Sequence, residues 1–158
     1  MTVFEPRNPD FEARVHRSFK RQTFMDTLGA KLVMVEPGAV DIQLYFTPEN
    51  SQQHGFYHGG VVGTLADTAG GYSAFSLMNA EDSILTVEYK LNLVAPADGE
   101  LLLVKGRVIR AGRQLMVCQS DAYISKAGVE KHCASMLGTF MVMRDMPDLQ
   151  QNDKEGRS

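Results

Sequence analysis

The chain has 158 residues, enough for one domain with a hydrophobic core and too few to expect two. With 44% hydrophobic and 22% charged residues it has the composition of a soluble globular protein. A net charge of -3 provides no global basic surface, so nucleic acid is a poor partner and any anionic ligand must be met by a local basic cluster.

The opening residues, MTVFEPRNPDFEARVHRSFK, contain no apolar run behind a basic start, so no secretory signal is expected. No stretch approaches the roughly 18 uninterrupted apolar residues of a membrane span, and a cytoplasmic location is the expectation. After an irregular lead-in with Pro6 and Pro9, Asp10 can cap a helix over 10–26, with Phe11, Val15, Phe19 and Phe24 on one face. Gly29 ends it. Two short runs rich in Val, Leu and Ile, 31–36 and 39–46, flank Pro37-Gly38 and read as a hairpin.

Thr47 to Tyr57 is a polar loop that delivers the chain to a long helix over 58–78. Four more strands follow. SILTVEYKLNLV alternates with period two over Leu85 to Leu93, ELLLVKGRVIRAG is a long fourth strand, and 114–126 and 130–143 form a closing hairpin. Short turns separate them, so the last four strands are expected to be antiparallel neighbours. The polar, aperiodic residues 145–158 are expected to be a disordered tail. The whole is one α+β domain in which the sheet curls closely around the small-residue helix. Cys118 and Cys133 have no metal-ligand spacing; in the proposed hairpin they fall near Leu137 and Ala122 and not opposite each other, as buried hydrophobes.

From His58 to Ala80 the single charged side chain is Asp67, in a segment otherwise small and apolar. With no Lys or Arg near it in sequence, burial should oppose its ionisation and make it a candidate base or nucleophile. An aspartate facing solvent or a neighbouring strand fits the same pattern. At the helix start, Tyr57-His58-Gly59-Gly60 presents N–H groups without intrahelical partners, a ready oxyanion site. Gly59 and Asp67 are eight residues apart, about 12 Å along one helix, too far to touch the same carbonyl. If both serve one substrate, the second must come from another subunit across a two-fold axis, giving an obligate dimer with two composite sites.

The set Gly55, His58, Gly59, Gly60 and Leu65-Ala66-Asp67, a G-x-x-H-G-G pattern with L-A-D ending nine residues after the histidine, resembles the hotdog-fold acyl-CoA thioesterases of the PaaI type, which include phenylacetyl-CoA and 4-hydroxybenzoyl-CoA thioesterases. The resemblance continues through LTVEYKLNLVAPADGE and VIRAGRQLMVCQSDAYI and spans 25–143. It implies a hotdog fold, homodimers that pair into homotetramers, and acyl-CoA hydrolysis with no cofactor beyond the CoA of the substrate. It also implies roles: Asp67 as the catalytic carboxylate, Gly59 as the N–H that polarises the thioester carbonyl, with His58 before it and Gly60 after it. Thr86 falls where relatives place a hydroxyl that positions water. Gln52 stands where many relatives have Asn, and Gly71 where some have a second hydroxyl residue. The CoA phosphates ask for basic residues, and Lys105, Arg107, Arg110 and Arg113 surround the turn between the fourth and fifth strands, where a solvated hairpin would account for them equally well.

His54 and His58 stand four residues apart, but no Glu follows His54 and Gly55 interrupts a helix there, so no metal site is expected. Two rival functions remain. One is hydratase or dehydratase chemistry on an acyl thioester, for which the familiar histidine context is missing. The other is a non-catalytic acyl-CoA binding module, which would gain little from Asp67.

Overall fold

The computed structural model describes residues 4–146. The helix expected over 10–26 is two helices, α1 (Phe11–Lys20) and α2 (Thr23–Leu28). α1 carries Glu12 in its first turn and Arg17 and Lys20 in its last, matching the helix dipole, and it stops at Arg21. Gln22 is extended (ψ 93°) and starts α2 in a new direction; Gly29, left-handed at φ 78°, ends it. Arg14 anchors α1 inward: its guanidinium lies 4.0 Å from the Phe75 ring centre, and it donates to Asn79 O at 2.7 Å and to Asp82 O.

Strands β1 (Lys31–Glu36) and β2 (Ala39–Tyr45) form the expected hairpin, turning at Gly38 with φ 76°. Helix α3 spans Gly59–Phe75, shorter than 58–78, because Leu77 and Met78 donate to carbonyls three residues back and tighten the chain out of the α-helix. Strands β3 (Ser83–Leu93), β4 (Leu101–Ala111), β5 (Leu115–Lys126) and β6 (Val129–Met143) complete one sheet of order β1-β2-β4-β5-β6-β3, antiparallel throughout.

That order corrects one expectation. β3 pairs with β6 and not with β4, so it forms the edge opposite β1. The physical reason is the length of α3: 17 residues carry the chain about 25 Å across the sheet, so β3 begins on the far side and β4 returns beside β2. The tail expected over 145–158 falls outside the described residues from 147 onward. Among the described residues, no helix is long and apolar enough to cross a membrane.

The sheet does curl onto α3, but the closest approach uses a glycine of the sheet. A Cβ at Gly106 of β4 would lie 2.4 Å from the Ala69 backbone. Ser120 of β5 donates to Ala66 O at 2.8 Å, joining sheet to helix by a hydrogen bond. Cys118 faces Gly138, one residue from the expected partner, and Cys133 lies beside Ala122, its thiol donating to Ala122 O. Both thiols are free and buried, and burial pushes them up to about 12 and about 11, which makes them packing groups at neutral pH.

Candidate active site

Asp67 sits on the face of α3 that looks toward β3, where Thr86 donates to its Oδ1 at 2.9 Å. A bulge produces this meeting. The β3–β6 register shifts between Thr86 and Glu88, so Val87 is an extra residue. The single alternation expected from Leu85 to Leu93 is therefore two phases: Thr86 points at the helix before the bulge, and Tyr89, Leu91 and Leu93 approach it after. Leu85 and Val87, expected on the same face as Leu91, are 58% and 51% exposed.

Burial raises the Asp67 carboxyl above its ordinary value of 3.8, and the Thr86 hydrogen bond opposes part of that rise. The carboxylate is thus more basic than a solvated aspartate, and among the described residues no hydrogen bond occupies Oδ2. Around it lies a cleft of about 400 Å³ walled by α2, α3, β3 and Phe140. Phe24 and Tyr72 line it, with Phe19 and Phe75 packed on Tyr72. Gln22, Met25, Thr64, Thr68, Ile84 and Tyr89 join them. None of these six carries a sequence signal of its own, because their selection depends on the break in the N-terminal helix and on the bulge.

The other predicted groups lie at the opposite end of α3. The His58 ring caps the helix: its Nδ1 accepts from Gly60 N–H at 2.9 Å, which puts the ring proton on Nε2. Gly60 N–H is thereby taken, and Gly59 N–H is left at the first helical position with no intrahelical acceptor. Gln52 Oε1 accepts from His54 N–H at 2.5 Å, so its Nε2 is the end free to donate. Gln52 and Gly59 share a second cleft of about 420 Å³, walled by the end of β3 and the segment through Ala97. One subunit therefore brings Asp67 with Thr86, and separately Gln52 with Gly59, but does not bring the two pairs together.

The basic residues divide as well. Arg107 forms an ion pair with the largely buried Asp41 at 2.5 Å, and Lys105 lies 3.6 Å from Glu130 and over the Tyr123 ring. Arg110 and Arg113 instead line a hollow at the β4–β5 turn. Of the four basic residues around this turn, Arg107 and Lys105 thus have acidic partners, while among the described residues no ion pair is formed by Arg110 or Arg113.

The thioesterase superfamily model matches residues 54–131, which include His58, Gly59, Asp67 and Thr86. A crystal structure of a thioesterase family protein from Silicibacter pomeroyi is 41% identical, covers 85% of this chain and 98% of its own, and superposes with a TM-score of 0.84. The chain belongs to the thioesterase superfamily. The 1,4-dihydroxy-2-naphthoyl-CoA hydrolase of Listeria monocytogenes is 28% identical over 92 residues, 58% of this chain and 75% of the hydrolase. The PaaI protein of the E. coli phenylacetic acid degradation operon is 18% identical with a TM-score of 0.78, covering 90% of this chain and 99% of its own, a likeness of fold. The hotdog architecture expected from the sequence is therefore the architecture of this chain.

Proposed function

We propose that the protein hydrolyses an acyl-CoA thioester to the free acid and CoA in composite sites shared by two subunits. The observation that carries this reading is the Asp67–Thr86 pair: a carboxylate of raised basicity, oriented by a hydroxyl, at the wall of a cleft large enough for an acyl group. The Asp67 carboxylate either takes a proton from water as the water oxygen adds to the thioester carbon, or adds to that carbon itself. The oxyanion is held by Gly59 N–H and Gln52 Nε2 of the other subunit. Collapse breaks the C–S bond, and the CoA sulfur leaves as thiolate or thiol; where Asp67 itself has added, water then cleaves the mixed anhydride left on it, releasing the free acid and restoring the carboxylate.

The edge strand supports the dimer. β3 carries Leu85, Val87, Tyr89 and Leu93, each between 46% and 58% exposed, an apolar edge that invites pairing with a second copy. The Asp67 cleft borders one end of β3 and the Gln52–Gly59 cleft the other. An antiparallel β3 pair across a two-fold axis brings each cleft of one subunit against the opposite cleft of its mate. The CoA phosphates fall to Arg110 and Arg113 in this reading.

The test is release of free thiol from aromatic, short, medium and long acyl-CoAs, by wild type and by Asp67→Asn. Turnover of at least one substrate is expected, with a loss on the order of 10³-fold in the variant. Undiminished turnover by Asp67→Asn, or none by wild type, would overturn the assignment.

A further inference from the structure

The Asp67 cleft continues along α3 past Gly71 to Tyr72, about 7.5 Å further along the helix axis. Gly71 leaves this path open, since even a Cβ there would only touch the Phe140 ring at 3.5 Å. At its far end Tyr72 is bonded on both sides of its hydroxyl: Gln22 Nε2 donates to Tyr72 Oη at 3.0 Å, and Tyr72 Oη donates to Ser18 Oγ at 3.2 Å. Ser18 belongs to α1 and Gln22 starts α2, so this chain of bonds fastens the elbow between the two helices to α3. Tyr72 is buried, whereas Gln22, which lines the same end of the cleft, is exposed. Phe24, which also lines the cleft, is 57% exposed, an aromatic surface largely open to solvent among the described residues.

We propose that the Gln22–Tyr72 hydrogen bond is a latch that sets the length of acyl group accepted, and that longer chains enter only by displacing Gln22 and lying on Phe24. The inference rests on the acyl-thioester reading and specifies its substrate. In this reading a thioester carbonyl at Asp67 lays its acyl group along the cleft, past Gly71 toward Tyr72. Opening the latch exchanges one neutral hydrogen bond for water, a small cost, so the limit it imposes is graded.

The experiment compares kcat/KM for straight-chain acyl-CoAs from acetyl to dodecanoyl in wild type, Gln22→Ala, Tyr72→Phe and the double variant. Each single change is expected to raise the dodecanoyl-to-butanoyl ratio about fivefold, the factor equivalent to the ~1 kcal/mol net value of one hydrogen bond. The double variant is expected to equal either single variant, since both remove the same bond. Taking ratios within each variant cancels any partial loss of folded protein. An unchanged length profile overturns the proposal, and so does a shift in Gln22→Ala alone or one that adds in the double variant. Calorimetric binding of the corresponding free fatty acids runs in parallel. If no acyl-CoA releases thiol, the hydrolase reading falls, while the same length dependence of acid binding still decides the latch.

Discussion

Two inactive subunits should rescue each other. Gly59→Pro removes the backbone N–H proposed to hold the oxyanion beside Gln52 Nε2, and the local backbone accepts it. Proline is favoured at the first helical position, and His58 before it already has the extended ψ of 134° that a following proline requires. The nearest atom to a new Cβ is Leu93 Cδ1 at 2.9 Å, the tip of a side chain that is 57% exposed and able to turn away. Asp67→Asn removes the carboxylate while keeping its shape. Each homodimer should lose about 10²-fold or more. Mixed one to one and allowed to reassort, a site takes Gly59 from the intact donor with probability one half and Asp67 from the intact donor with probability one half. About a quarter of wild-type activity should therefore return, whether the assembly is a dimer or a pair of dimers. Native mass spectrometry verifies the mixing and thiol release reads the activity. If heterodimers form and activity stays at the parental level, both groups act within one subunit and the composite site is wrong.

Because burial raises the Asp67 carboxyl, the acid limb of kcat/KM should lie above the ordinary value of 3.8, and Thr86→Val should move it higher still by removing the bond that opposes the rise. The sign for stability is the reverse of an ion-paired aspartate: with the folded value raised, stability is greatest below the unfolded value and falls as pH rises through the folded one, so Asp67→Asn should flatten that decline in denaturant titrations. Gly106→Ala puts a Cβ 2.4 Å from the Ala69 backbone and should cost about 3 kcal/mol, at the upper end of overpacking, read as a lower urea midpoint. Arg14→Leu strips the donors from Asn79 O and Asp82 O and should cost ~2–3 kcal/mol, with α1 losing hydrogen-exchange protection before the sheet does.

How much was legible depends on whether a feature is local. The hairpin at Pro37-Gly38, the isolated carboxylate of α3 and the histidine-glycine start of that helix are written in contiguous residues, and each appears where expected. The place of β3 at the sheet edge is not local, since it follows from the distance α3 spans. Arg107 looked like its neighbours in sequence, yet Asp41, far away in the chain, takes it. The bulge at Val87 hid the face of β3 most thoroughly: Leu85, Val87, Tyr89, Leu91 and Leu93 form an unbroken alternation on paper, and one unpaired residue divides it.

That bulge also explains why an apolar helix can carry a usable carboxylate. Without it, β3 would keep one phase from Leu85 to Leu93 and turn Leu85 and Val87 toward α3 along with Tyr89 and Leu91. Asp67 would then face leucine and valine with no donor. The extra residue brings Thr86 inward at the level of Asp67 and leaves Leu85 and Val87 more than half exposed along the edge strand. One local irregularity thus supplies both the partner that keeps the carboxylate ionisable and the apolar strand on which a second subunit can pair. Deleting Val87 should accordingly damage both properties together, where Thr86→Val should damage the chemistry alone and leave the oligomer intact by light scattering.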